Sequence, residues 1–211
     1  MSRPIFFSIF VLVSSLLLTT HVHADTRGHA QVGLAIFDRS GQLADEHESR
    51  GFSPFGGSTL RLGFIHYLTR VPWLGFGAGV RGTFGNSSHE DGREYYMNPI
   101  FTSATVAAFA PLGPHDSGFD VQLDVGVTNV LAKLRTPNAS GGFDVFHEYG
   151  IGLGVGLLVG YRLDFGAATA LTLSVQHSRH WVGVEEPDAT SKTWALGTTV
   201  FMAGFSFGDS D

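Results

Sequence analysis

In the segment 149–163 every odd position is apolar or aromatic: Tyr149, Ile151, Leu153, Val155, Leu157, Val159, Tyr161 and Leu163. The even positions read Gly150, Gly152, Gly154, Gly156, Leu158, Gly160 and Arg162. Strict period two means a strand with two unlike faces. A strand half buried in a soluble core carries polar groups on its second face. Here that face is nearly bare backbone, which suits a narrow, crowded space. The large apolar face then looks outward. Tyr149 and Tyr161 are 12 residues apart, about 40 Å along a strand, or roughly 28 Å of depth at a tilt near 45°. That is a membrane's apolar thickness with a tyrosine at each rim, and it puts Leu153 and Val155 midway.

The N-terminal sequence supplies a route to a membrane. Arg3 precedes a mainly apolar run over 5–18, and Val22-His23-Ala24 places small residues at the −3 and −1 positions of a secretory cleavage site. Residues 1–24 therefore read as a removed signal peptide, since a run of 14 residues falls short of the ~20 needed by a spanning helix. No later run is long and apolar enough for such a helix, so membrane residence implies a barrel. The mature chain, 25–211, suits one domain. It contains no cysteine, which excludes a disulfide framework and a thiolate metal site. Its 12 basic residues against 19 acidic ones argue against nucleic acid as a partner.

Eight segments read as strands, at 28–38, 58–69, 73–85, 98–110, 118–133, 149–163, 169–181 and 193–207. Short turns alternate with longer polar loops at 39–57, 86–97, 134–148 and 182–192. The pattern predicts an all-β, eight-stranded antiparallel up-and-down transmembrane barrel with the long loops on one side. Facing follows from alternation. In 118–133, Phe119, Val121, Leu123, Val125 and Val127 face lipid, while Asp120, Gln122 and Asp124 face the lumen. Arg61, Arg81 and Arg162 fall on lumenal positions by the same rule. A lumenal charge network of Asp120, Asp124, Arg61, Arg81 and Arg162 is the expectation. Pairing 118–133 with 149–163 through a loop at 135–147 sets Asp120 opposite Arg162. The segments 98–110 and 193–207 alternate too poorly to fix their facing.

The architecture resembles the small eight-stranded outer-membrane barrels, the group containing the OmpA membrane domain, OmpX/Ail and OmpW. The resemblance covers the whole mature chain and rests on strand pattern rather than a diagnostic motif. It implies an outer-membrane location, lipid and lipopolysaccharide as surroundings, no cofactor and no enzymatic activity. The expected roles are a structural or surface-interaction protein, or a narrow small-solute pore. Such barrels usually end on an aromatic residue, whereas Phe205-Ser206-Phe207 is followed here by Gly208-Asp209-Ser210-Asp211.

The glycine runs at 75–79 and 150–156 lack phosphate-loop spacing and a following lysine. His47, His89 and His147 sit beside acids in three loops and form a weak candidate metal shell. Net −2 in each of 38–57, 85–98 and 182–192 points to divalent cations at acidic loops. One cluster suggests chemistry. Gln176-His177-Ser178-Arg179-His180, with Glu185 and Glu186 beyond, resembles the His-any-Ser arrangement of PagL-type lipid A deacylases. The alternative reading it offers is a lipid-modifying enzyme. Yet His177 and Ser178 are adjacent and point to opposite faces, while Ser178 and His180 share the inward one, away from lipid.

Overall fold

The computed structural model describes residues 25–37, 56–84, 87–90, 92–113, 117–165, 169–185 and 191–208. The expected signal peptide, His47 and most of the 39–57 loop lie outside these residues. Period two produces the strands β1 (Thr26–Phe37), β2 (Gly56–Leu68), β3 (Val71–Phe84), β4 (Ser87–Glu90) and β5 (Arg93–Pro111). The strands β6 (Gly118–Pro137), β7 (Phe143–Asp164), β8 (Thr169–Glu185) and β9 (Ser191–Gly208) complete the chain. All pairings are antiparallel between sequence neighbours, except that β3 also pairs β5 and β1 pairs β9. β4 continues the β3 wall along β5 with its pairing offset by one residue. Eight wall positions therefore close into a ring, which removes the open edges of the sheet along the wall.

The ring is staggered. Register partners lead from Arg27 through Ile65, Gly77, Thr105, Asp124, Gly156, Ser178 and Thr198 to Phe37, from position 27 to position 37 of the same strand. A stagger of ten residues over eight strands tilts them roughly 40° and gives a radius of roughly 8 Å. Each residue then rises about 2.5 Å along the axis, and each step to the next strand adds about 3 Å.

Outward faces carry an apolar belt that includes Val32, Leu62, Phe76, Val106, Leu123, Leu157, Val175 and Phe201, all more than a third exposed. The alternation also settles the two ambiguous strands. β5 turns Val106 out and Phe101, Ser103, Thr105, Ala107 and Phe109 in, and β9 turns Phe201, Phe205 and Phe207 out and Thr198, Val200, Met202 and Ser206 in. With the stagger included, Leu123, Leu157 and Val175 share the middle of the belt. Leu153 stands about 10 Å higher, near the edge away from the chain termini. The expected midway position of Leu153 and Val155 is corrected accordingly, because a tilt read from one strand misses the climb between strands.

Two further expectations change. The register of β6 with β7 pairs Asp120 with Gly160 and Arg162 with Gly118, so Asp120 and Arg162 are diagonal neighbours, not opposite ones. The expected 134–148 loop is mostly paired strand, closed by a short turn at 138–142, and β4 and β5 likewise pair through much of 86–97. Asn138 builds the first turn by accepting hydrogen bonds on Oδ1 from the Ser140 and Gly142 amides at 3.2 and 2.8 Å. Gly141, at φ +80°, supplies the left-handed residue. In the β6–β7 hairpin strand pairing continues past the belt, where successive residues 143–147 are exposed on both faces. The two-residue polarity signal disappears there although the ladder does not.

Candidate functional site: the filled lumen

Inward side chains fill the barrel in three levels. Nearest the termini, Ile65, Tyr67, Ala107 and Phe109 form a small apolar cluster, with the Tyr67 ring edge-on to Phe109. The Arg162 guanidinium lies 3.8 Å over the Phe109 ring, a cation–π arrangement favoured where water is scarce. A cavity of about 30 Å³ opens at this level, lined in part by His29, Tyr67, Asp120, Arg162 and Ser206. That is room for a few waters at most.

The middle level is polar and organised around two arginines. Arg61 on β2 donates to Gln122 Oε1 at 2.7 Å and Gln31 Oε1 at 3.3 Å, and pairs with Asp124 Oδ2 at 3.4 Å. Asp124 also accepts from Thr105 Oγ1 and, at 2.6 Å, from Gln176 Nε2. Gln31 Nε2 bridges to Thr172 and Ser174 on β8. Arg61 is 3% exposed and Asp124 1%, so this ion pair is held almost without water. Such a pair persists only when its remaining polar atoms are hydrogen-bonded as well.

Arg81 on β3 departs from the expectation of a charge chain. Among the described residues it reaches no carboxylate but donates to Gln176 Oε1 and Ser178 Oγ, both at 2.8 Å, and lies 3.3 Å from His180 Nε2. A guanidinium can only donate, so His180 Nε2 accepts and the ring proton sits on Nδ1, which donates to Thr128 Oγ1 at 2.7 Å. Gly154 makes this possible: a Cβ there would stand about 2.2 Å from His180 Nδ1. Asp120 accepts instead from Gln122 Nε2 at 2.8 Å. The network thus joins Arg61, Asp124, Gln122 and Asp120 in one chain and, through Gln176, Arg81. Arg162 stands on the aromatic level below. The glutamines and threonines that complete it were foreshadowed only by their inward parity.

The third level, away from the termini, is an apolar stopper of Phe37, Tyr95, Met97, Val130, Ala132, Val182, Val184, Trp194 and Leu196. Tyr95 and Met97 are fully buried and Trp194 nearly so. Tyr95 donates to the buried Glu148 at 3.3 Å.

The other candidates separate. Ser178 Oγ and His180 Nε2 are 2.9 Å apart, the spacing of a base-activated serine, but both are 1% exposed inside the wall. His177 faces outward and hydrogen-bonds Thr199 Oγ1 at 3.0 Å. His147 is exposed and stacks on Tyr149, and His89 lies on β4. Among the described residues no group of three or more His, Cys, Asp or Glu side chains is placed to hold a metal.

No protein-family model and no curated protein matches the sequence. Solved structures do. A major outer membrane protein of Thermus thermophilus aligns with TM-score 0.58 at 10% identity, covering 89% of this chain and all of that one. Neisserial surface protein A aligns at 0.53 and 15%, covering 87% and 97%. The fold is that of the small eight-stranded outer-membrane barrels. Ail, the attachment invasion locus protein of Yersinia pestis, solved with the heparin analogue sucrose octasulfate, aligns at 0.52 and 10%, covering 87% and 99%. At these identities the likeness concerns architecture, and activity has to be argued from this barrel's own lumen and surface.

Proposed function

We propose that this chain is a non-enzymatic outer-membrane barrel that acts as a closed surface scaffold, exported with cleavage near Ala24 and displaying its long hairpins outside the cell. The single observation that carries this reading is the filled lumen. Among the described residues a polar plug around Arg61 and Arg81 is capped by the buried stopper around Trp194 and Tyr95, a filling that suits a barrel of this strand number. The apolar belt supports residence in lipid. Lipopolysaccharide, with divalent cations at the acidic loop segments, is the partner class that this surface suits.

Planar bilayers test the closed state. The reconstituted protein should leave the bilayer without discrete conductance steps, and regular steps would establish the narrow-pore reading in its place. Topology has its own test: an epitope inserted after Gly141, in the turn of the β6–β7 hairpin, should be labelled on intact cells, and one after Gly113 should not. Reversed labelling would invert the barrel. A lipid A deacylase-like activity is the second reading, and the 2.9 Å Ser178–His180 contact is what favours it. If it holds, lipid A co-purified with the wild type is lighter by an acyl chain than that from Ser178→Ala. Equal masses would dispose of it.

A further inference from the structure

The outward face of β8 and β9 interrupts the apolar belt. Rows of register partners run Leu173 with Ala203 and Val175 with Phe201, then His177 with Thr199, Arg179 with Gly197 and Trp181 with Ala195. Below His177 the surface is apolar, and Leu173, Val175 and Phe201 are each at least 42% exposed. At His177 and Arg179 it becomes polar and basic, while Leu153 and Val155 on the adjoining strand, beside the same rows, remain apolar. Among the described residues Arg179 is the one charged side chain that faces outward between the two edges of the belt. Gly197, its register partner, adds no bulk beside it.

The stagger puts Arg179 about 10 Å above the middle of the belt, on the side away from the termini, and His177 about 5 Å above it. An arginine on a lipid-facing wall is costly in hydrocarbon, and the cost falls toward the interface. At this level its stem can lie along apolar wall while the guanidinium reaches up to the headgroup layer. Trp181, 50% exposed, stands just above, where indole rings favour the interface. His177 is oriented by its bond to Thr199. A guanidinium beside an imidazole, on a face turned to lipid, is complementary to a tetrahedral phosphate, which guanidinium binds through paired hydrogen bonds.

We propose that Arg179 and His177, flanked by Trp181 and Thr199, dock the phosphate of a phosphorylated glycolipid of the outer leaflet. This rests on the outer-membrane reading above and names the lipid chemistry recognised at one place on the wall.

The test uses the full barrel in three kinds of vesicle: phosphatidylcholine alone, phosphatidylcholine with bisphosphorylated lipid A, and phosphatidylcholine with lipid A stripped of phosphate. The readout is the unfolding midpoint from heat-modifiable gel mobility. Phosphorylated lipid A should raise the midpoint above the other two. Arg179→Gln should lose most of that rise while matching wild type in phosphatidylcholine alone, and Arg179→Lys should keep part of it. An equal rise with stripped lipid A, an undiminished rise in Arg179→Gln, or the same rise from inorganic phosphate with phosphatidylcholine alone would overturn the inference. Failure to insert into any vesicle would overturn the membrane reading itself, and it is seen separately as complete proteolysis.

Discussion

Asp124→Ala should destabilise the barrel by about 3 to 5 kcal/mol, because it strips the partner from an arginine held in a nearly dry interior. Arg61 would keep Gln122 and Gln31 at 2.7 and 3.3 Å, but these amides replace none of the lost charge–charge attraction. Gln176 Nε2 and Thr105 would lose their acceptor in the same step. The reverse deletion, Arg61→Ala, leaves a buried carboxylate and should cost a similar amount. The double variant Arg61→Leu with Asp124→Leu should recover part of the loss, since removing both charges relieves the desolvation of each. Urea unfolding in detergent micelles measures all three. Strictly additive costs would show that the two side chains do not act as a pair.

The second large effect belongs to the outer wall. Leu157→Arg places a cation at the middle of the belt and should cost about 2 to 4 kcal/mol, whereas Leu153→Arg, near the edge, should cost at most about 1 kcal/mol. Both residues are more than half exposed on the same strand face, so a difference between them reports depth alone. Equal penalties, or the larger one at Leu153, would mean that the belt is centred elsewhere and that the climb between strands has been misjudged.

Much of this was legible in the chain. Alternation alone turned Leu123 and Leu157 outward, and Arg61, Arg81, Asp124 and Ser178 inward, since one misplaced step would turn a whole strand over. What stayed hidden was relational. The stagger is a property of eight pairings at once, so neither the true level of Leu153 nor the diagonal placement of Asp120 and Arg162 follows from any single strand. β9 defied a polarity reading because its inner face is itself apolar where Trp194 and Leu196 join the stopper. Opposite strands likewise choose their partners across the lumen: Arg81 meets Gln176, Ser178 and His180 rather than an acid, a choice that no local spacing encodes. The tip of the β6–β7 hairpin vanished from the pattern for the opposite reason, as 143–147 are exposed on both faces and need no alternation.

The middle level of the lumen also constrains how such a wall comes into being. Gln31 on the first strand reaches Thr172 and Ser174 on the eighth, and Arg61 on the second reaches Asp124 on the sixth. Inserted one hairpin at a time, each of these groups would face hydrocarbon until its partner arrived, at a cost no single hairpin could bear. On the outer-membrane reading proposed above, curling ahead of deep insertion shelters these polar side chains inside a bent sheet while its apolar exterior descends. The β1–β9 seam closes the ring across which these side chains meet.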